Sequence, residues 1–104
     1  MKIYGIGTDI VNTNRINKSI KNITFMKRVY DIKEINRCKK QFNKTNCLAK
    51  RFAAKEAFSK ALGIGISKGL KFNEIIVHNI RSGKPNIRLI GNTKKVVNKI
   101  LKKK

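Results

Sequence analysis

The sequence predicts an α+β fold in which a small antiparallel sheet packs against a long central helix. The chain has 104 residues, enough for one modest hydrophobic core. A run of strong helix formers without proline extends from Arg51 to Gly63, where the glycine should end the helix. Runs rich in β-branched residues at 3–11, 72–80 and 86–90 predict strands, and the last two form a hairpin.

The central helix carries the first candidate functional residues. At roughly 100° per residue, one arc should face the core; it contains Cys47, Ala54, Phe58, Ala61 and Leu62. Glu56 and Lys60 lie one turn apart on the opposite arc, among small residues that leave room for a ligand: Ala49, Ala53, Ser59 and Gly63. The alternative is an ordinary i,i+4 ion pair, which stabilises a helix by about 0.2–0.5 kcal/mol.

The first predicted strand has an unusually bare face. Its alternation places Gly5, Gly7 and Asp9 on the same side. Glycines inside a strand often mark the close approach of another group. Asp9 therefore either ends this bare face as a functional residue or caps a helix that starts near Asn12 or Thr13. Both interpretations remain open on the residues alone.

Two short segments follow the first strand. Residues of about 13–20 predict a short helix that exposes Arg15 and Lys18 to solvent. The mixed segment 25–30 fits either a helix or a turn.

A further helix should precede the central one. Asp31 and Glu34 have the spacing of a capping box, which predicts a helix from there to about Phe42. This gives both acids a structural role, and we assign them no other. The polar stretch 43–46 should separate this helix from the central one.

The chain after the central helix predicts a loop, the hairpin and a last helix. Residues 64–69 have the composition of a loop, and 82–85 that of the hairpin turn. A lysine-rich amphipathic helix is predicted at roughly 93–101.

The net charge of +21 favours an acidic partner. Nucleic acid, an anionic membrane surface, an acidic protein and a nucleotide all fit a charge of this sign. Lys, Ile and Asn together make up nearly half of the chain, however, so a coding bias competes with these functional explanations. The charge therefore permits anion binding without selecting one anion.

The cysteines and the single histidine do not suggest a zinc site. Cys38 and Cys47 form no CxxC motif and are too few for a disulfide framework. Because Cys47 falls on the apolar arc, we predict a buried free thiol there rather than a metal ligand. His78 lies inside an apolar run. No segment has the length of a membrane span or the pattern of a signal peptide, so a cytoplasmic location is expected.

The chain has only five carboxylates, and two of them remain available for chemistry. Asp31 and Glu34 are expected to cap a helix, and Glu74 lies near the edge of a predicted strand. Asp9 and Glu56 are left, and two carboxylates brought together suit Mg²⁺, which also binds phosphate oxygens. With Lys60 to meet a phosphate, these residues predict a magnesium–phosphate site.

Two motifs make this sequence resemble the holo-acyl-carrier-protein synthase family. The segment 5–11 (GIGTDIV), followed by Arg15, is similar to the family's N-terminal signature. The segment 48–63 (LAKRFAAKEAFSKALG) is similar to its longer, more specific helical signature. The segments 72–77 and 83–85 match its hairpin, so the resemblance runs from about residue 3 to 90.

The resemblance implies transfer of 4′-phosphopantetheine from coenzyme A to a serine of apo acyl carrier protein, a step of fatty acid biosynthesis. Adenosine 3′,5′-bisphosphate is the other product. Members have an α+β fold, the 4′-phosphopantetheinyl transferase-like fold, and are typically homotrimers with active sites at the subunit interfaces.

The same resemblance implies roles for individual residues. The family's Mg²⁺ ligands fall on Asp9 and Glu56, and its phosphate-binding lysine falls on Lys60. Arg51 and Lys44 match positions that contact the phosphates of coenzyme A, although the helical wheel places Arg51 away from Glu56. The remaining positions match a nucleotide-binding loop and a site for the acidic carrier protein: Gly63 and Gly65 for the loop, and Arg15 for the carrier protein.

The sequence departs from the family in two places. Ile64 stands where the family has a threonine. Relatives also continue past the last helix for about twenty residues that form a strand, and without that strand a sheet edge is left unpaired. We expect a single phosphopantetheinyl transferase domain over 1–104 that is short at its C-terminus.

Two alternatives stay open. One is a small basic nucleic-acid-binding protein, which the charge favours. The scattered aromatic residues argue against it, because no aromatic–basic cluster suggests a stacking platform. It also leaves the placement of Asp9 and Glu56 unexplained. The other is an inactive relative that only binds coenzyme A or the carrier protein.

Overall fold

A computed structural model describes residues 13–63, 69–79 and 84–102 of the chain, with side chains from Ile16 onward. The predicted first strand, residues 64–68 and the tip of the hairpin lie outside these ranges. The described elements are α1 Thr13–Ser19, α2 Ile23–Val29, α3 Ile32–Lys39, α4 Lys44–Leu62, a 3-10 turn Phe72–Glu74, β1 Ile75–Asn79, β2 Pro85–Leu89 and α5 Gly91–Lys102.

The predicted hairpin is confirmed. β1 and β2 pair antiparallel, with Ile75 opposite Leu89 and Val77 opposite Ile87. The strand starts later than predicted, because residues 72–74 form a 3-10 turn. The carbonyl of Phe72 accepts a hydrogen bond from the buried Lys55 ammonium, and the carbonyl of Glu74 accepts one from the N–H of Ile90, directly after β2.

The long central helix α4 also follows the prediction, apart from its start. It begins at Lys44 because the Asn43 side chain accepts a hydrogen bond from the Asn46 backbone N–H and caps the first turn. The predicted polar break is therefore part of the helix. The helix ends as expected at Gly63, whose φ of 72° is the left-handed conformation that glycine adopts without strain.

The shorter helices agree with the sequence in position and differ in length. α1 lies where the first short helix was expected, and the ambiguous segment 25–30 falls mostly in α2. The capping box of α3 is present, since Asp31 accepts from the Lys33 N–H and Glu34 accepts from the Asp31 N–H. α3 ends at Lys39 rather than near Phe42, and the Phe42 side chain is fully exposed.

The core surrounds α4 on more than one side. α1, α3 and β1 all pack against this helix. Ala54 and Phe58 are buried as predicted, but Ala61 is exposed, so its assignment to the core arc was wrong. Ala49 and Ala53, expected to leave open space on the functional arc, are also buried. A helical wheel cannot reveal that the second arc is covered as well.

The prediction of a free thiol at Cys47 was wrong. Cys38, at the end of α3, and Cys47, in the first turns of α4, form a disulfide with Cα atoms 5.5 Å apart. Cys38 is completely buried and Cys47 is partly buried. The pairing depends on how α3 packs against α4, and a helical wheel of α4 alone contains no information about it.

Glu74 has a role that its place at the edge of a strand did not indicate. Its carboxylate accepts hydrogen bonds from the backbone N–H and the hydroxyl of Thr93, at 3.1 and 2.8 Å. Thr93 lies in the first turn of α5, so Glu74 satisfies a donor that the helix leaves unpaired. Gly91 has a φ of 61°, and a Cβ there would overlap the Glu74 carboxylate.

The helices of the described ranges include none that is long and apolar enough to cross a membrane.

Candidate active site

Glu56 and Lys60 lie next to each other on α4 without forming an ion pair. Glu56 is half-buried and Lys60 is exposed. The ion pair found among the described residues is a different one, between Lys55 and Glu34. The simple i,i+4 alternative for Glu56 and Lys60 is therefore not what the structure forms. Within the part of the chain that the structure describes, this carboxylate and ammonium have no ion-pair partner and are available to a ligand with complementary charges.

The surroundings of Glu56 provide no competing partner within the described ranges. The nearby Ser59 hydroxyl donates to the Glu56 backbone carbonyl, at 3.4 Å, rather than to the carboxylate. Asp9 and Gly65 lie outside the described residues, so the expected approach of Asp9 to Glu56 remains a prediction. Gly63 ends the helix three residues after Lys60 and is exposed.

Arg51 is on the other side of the helix, as the helical wheel indicated, and it is buried. Only 5% of its surface is exposed. One terminal nitrogen donates to the Cys47 carbonyl at 3.3 Å and to the Cys47 sulfur at 3.0 Å, while its Nε has no hydrogen-bond partner among the described residues. Burial lowers the pKa of Arg51, the Glu34 carboxylate opposes that shift, and Arg37 adds to it. This guanidinium therefore retains capacity for another acceptor.

A cationic cavity of about 240 Å³ opens beside Arg51. Among the described residues, its charged lining groups are Arg37, Lys50 and Arg51, with no acid among them. The remaining lining residues are polar, aromatic or sulfur-containing: Gln41, Phe42, Asn43, Asn46, Cys47 and Asn79. Lys44 is exposed at the first residue of α4 and does not line this cavity. The cavity has the charge and the donors to bind a phosphate.

The sequence did not reveal the role of Lys55. Its side chain is completely buried, and its ammonium donates to the carbonyls of Val29 and Phe72 and to Glu34, with the last two distances 2.8 and 2.6 Å. Glu34 also accepts from the Val77 N–H at 3.1 Å, so its role exceeds the capping predicted for it. Burial lowers the pKa of Lys55 and Glu34 opposes that shift. The pair joins α2, α3, α4 and the hairpin.

The described aromatic residues belong mostly to the core. Phe25 contacts Tyr30 and Phe52, and Phe52 contacts Phe72, with ring centroids about 6 Å apart. Tyr30 donates to the Leu48 carbonyl at 2.7 Å, and burial raises its pKa. These rings stabilise the fold and present no row of stacking surfaces for nucleic-acid bases.

Among the described residues, no three His, Cys, Asp or Glu side chains lie together as a metal cluster would require. Glu56 alone fits a metal ligand within these ranges, because its half-buried carboxylate has no protein donor there. Arg15 belongs to α1, and its side chain lies outside the described part, while the neighbouring Lys18 is exposed as predicted.

Comparison with known proteins gives a consistent result. The model of the 4′-phosphopantetheinyl transferase superfamily matches residues 5–102. A holo-acyl-carrier-protein synthase of Pelagibacter ubique is 51% identical over 102 residues, 98% of this chain and 80% of that protein.

Two solved structures are similar to this one. The crystal structure of holo-acyl-carrier-protein synthase from Neisseria meningitidis superposes with a TM-score of 0.77 at 34% identity, covering 88% of this chain and 74% of that one. A Plasmodium yoelii acyl carrier protein synthase with ADP bound superposes with a TM-score of 0.70 at 40% identity, covering 85% of this chain and 69% of that one.

Proposed function

Because this chain belongs to the 4′-phosphopantetheinyl transferase superfamily, we propose that it transfers 4′-phosphopantetheine from coenzyme A to a serine of apo acyl carrier protein, in a Mg²⁺-dependent reaction. The family match over residues 5–102 carries this proposal, since it includes the whole of α4 with Glu56 and Lys60. The holo-acyl-carrier-protein synthases among the relatives support the carrier protein as the acceptor.

Glu56 is the proposed metal ligand within the described part of the chain, with Asp9 as the second. A carboxylate that lacks a protein donor can bind a hard cation without first breaking another contact. When bound, Mg²⁺ neutralises charge on the diphosphate of the donor. The half-buried position of Glu56 excludes part of the surrounding water, which strengthens its electrostatic attraction to a cation.

Lys60 is proposed to bind a diphosphate oxygen from its exposed position one turn after Glu56. Transfer of a phosphoryl-linked group requires positioning and charge stabilisation more than a side-chain nucleophile, because the carrier-protein serine supplies the attacking oxygen. An ammonium directed at the developing negative charge stabilises the transition state. Glycines 63 and 65 would let the following loop approach the donor closely.

The cationic cavity is proposed to hold a more distant phosphate of coenzyme A. Arg51, whose Nε has no partner in the described ranges, lines this cavity with Arg37 and Lys50. Lys44, the first residue of α4, is exposed and would contribute by long-range attraction. This arrangement separates the chemistry at Glu56 from the binding of the nucleotide end.

The surface charge supports an acidic protein as the second substrate. With a net charge of +21, the chain attracts an acidic carrier protein over distances comparable to the Debye length. Arg15 on α1 is proposed to contact it. By resemblance to the family, we also infer a cytoplasmic homotrimer.

The test is to incubate the 104-residue protein with apo acyl carrier protein, coenzyme A and Mg²⁺, and to weigh the carrier protein by intact mass spectrometry. We expect a gain of one phosphopantetheine that is lost with a chelator. Glu56→Gln should lower the rate by about 10²–10³, the scale measured when one group that stabilises transition-state charge is removed. The matched control is Glu74→Gln, which removes an acid that caps α5 and lies outside the proposed site.

No mass gain with folded protein, while a relative is active in the same mixture, would refute the enzyme proposal. Coenzyme A binding that persists in that case would identify an inactive relative. An active Glu56→Gln variant with unchanged Mg²⁺ dependence would instead exclude Glu56 as a metal ligand.

A further inference from the structure

The disulfide between α3 and α4 has one buried sulfur and one that borders a cavity. Cys38 is completely buried, whereas Cys47 is partly buried and lines the cationic cavity. The sulfur of Cys47 is therefore the one that a thiol from solution can reach. Attack by thiolate also requires a favourable electrostatic environment, and the charged lining groups Arg37, Lys50 and Arg51 attract anions.

The same sulfur contacts the main cation of the cavity. Arg51 donates to the Cys47 sulfur at 3.0 Å and also lines the cavity. In the disulfide, that sulfur is a neutral, weak acceptor. After reduction, Cys47 is a thiol whose ionised form is favoured by Arg37, Lys50 and Arg51, and the described lining residues include no acid to oppose it.

We propose that Cys38 and Cys47 form a thiol–disulfide exchange site in which the state of the Cys47 sulfur sets the anion affinity of the cavity beside Arg51. In the oxidised protein, the Cys47 sulfur is uncharged, so the positive charge of Arg51 is available to the ligand. In the reduced protein, the Cys47 thiolate pairs with Arg51 and competes with a phosphate. The inference rests on the proposed function in one respect, namely that the anion is a phosphate of coenzyme A.

The exchange involves two electrons and a small dithiol as the reductant. A thiolate of the dithiol attacks the Cys47 sulfur, the S–S bond breaks, and the Cys38 sulfur leaves as a thiolate that takes up a proton. The second thiol of the reductant then attacks the mixed disulfide and releases Cys47. The reductant becomes a cyclic disulfide, and the protein gains two electrons and two protons, which are held as two thiols.

Reduction also releases the connection between the two helices. The disulfide closes a loop across a sequence separation of nine residues, which contains Phe42 and the α4 cap Asn43. Opening this loop would lower the anion affinity of the cavity independently of charge if it displaced Phe42 and Asn43, which line the cavity. Weaker anion binding after reduction can therefore come from the opened loop or from the Cys47 thiolate. Substituting each cysteine in turn separates the two causes, since both substitutions open the loop and only one keeps the Cys47 sulfur.

The experiment measures the Kd for coenzyme A by calorimetry at about pH 8, with the protein oxidised or reduced by dithiothreitol and the thiols counted by mass after alkylation. We expect binding to weaken about tenfold on reduction, the scale of one charge-assisted hydrogen bond. Cys38→Ser, which keeps the Cys47 thiol beside Arg51, should bind like the reduced protein. Cys47→Ser should bind clearly more tightly than Cys38→Ser, and neither variant should respond to dithiothreitol.

Equal affinity of the oxidised and reduced proteins would overturn the proposal, as would the absence of a disulfide after oxidation. Equal affinity of the two serine variants would overturn the assignment to the Cys47 sulfur. Failure of the proposed function is recognised separately, because it abolishes the mass gain of the carrier protein in both redox states.

Discussion

Two lysines on the same helix, five residues apart, have opposite surroundings. Lys55 is completely buried and donates to two backbone carbonyls and to Glu34. Lys60 is exposed and has no ion-pair partner within the described ranges. The residue type alone therefore does not identify a functional lysine. The buried ammonium has its acceptors fixed by the fold, whereas the exposed one can change partners and bind a ligand.

The same contrast applies to the two acids that accompany them. Glu34 accepts from Lys55, the Asp31 N–H and the Val77 N–H, so its capacity as an acceptor is used inside the protein. Glu56 has no such described donor to its carboxylate. A charge whose partners lie within the fold contributes to structure, and one without them is available for chemistry.

The largest effect that would test this contrast is on the buried side. Lys55→Met should lower the free energy of unfolding by about 3–5 kcal/mol, because it leaves Glu34 as a buried charge without its ion-pair partner. Urea unfolding at neutral pH measures the loss. The exposed lysine of α5, Lys99, provides the control, and Lys99→Met should change stability by less than about 0.5 kcal/mol.

Adding Glu34→Leu to Lys55→Met should recover part of that loss, because a buried apolar pair carries no unpaired charge. The recovery should be incomplete, since Glu34 also caps α3 and accepts from Val77. If Lys55→Met were as stable as Lys99→Met, the ion pair would not determine the stability of this region.

On the exposed side, Lys60→Ala should lower kcat by about 10²–10³ because it removes a cation from the developing charge. Its stability should stay within about 0.5 kcal/mol of the parent, as is usual for an exposed side chain. Steady-state transfer kinetics and urea unfolding of the same preparation measure the two quantities. Unchanged kcat would show that Lys60 does not act in catalysis. A loss of stability like that of Lys55→Met would show that Lys60 has a structural role as well.

The smallest expected effect concerns Glu74, an acid whose partners are local donors of α5. Burial by itself would raise the pKa of its carboxyl, but the hydrogen bonds from Thr93 and Asn92 and the nearby Lys71 outweigh it and lower the pKa below the ordinary 4.5. The folded state therefore favours the ionised form. This stabilisation is complete above about pH 4.5 and is lost as the pH falls through the lower folded pKa.

Glu74→Gln should therefore unfold at a slightly lower temperature than the parent at pH 7, and the difference should shrink as the pH falls below 4.5. Thermal unfolding followed by circular dichroism over this range measures it. A difference that is constant with pH would show that the charge of Glu74 contributes nothing and that only its geometry matters.

The elements that depend on local sequence were predicted well. The capping box at Asp31 and Glu34, the glycine end of α4 and the hairpin are formed by residues close together in the chain. Glu56 and Lys60 are aligned on α4 because about four residues make one helical turn, while their functional role remains a proposal. The expected trio with Asp9 remains a prediction, because Asp9 lies outside the described residues.

The predictions that failed concern contacts between distant segments. A helical wheel treated Cys47 as a free thiol and Ala61 as a core residue, because it represents one helix and not the helices around it. The roles of Lys55 and Glu74 were missed for the same reason, since their partners lie 21 and 19 residues away in the chain.

The sequence by itself determined the family, the start of α3, the end of α4 and the hairpin, and it supplied the residues that we propose for catalysis, because these follow from local spacing and motifs. The tertiary structure decided which charged side chains are buried and paired inside the protein. It placed Lys55 against Glu34, joined Cys38 to Cys47 and directed Arg51 toward a cavity. The physical reason is that burial and pairing are properties of surfaces that meet only when the chain has folded.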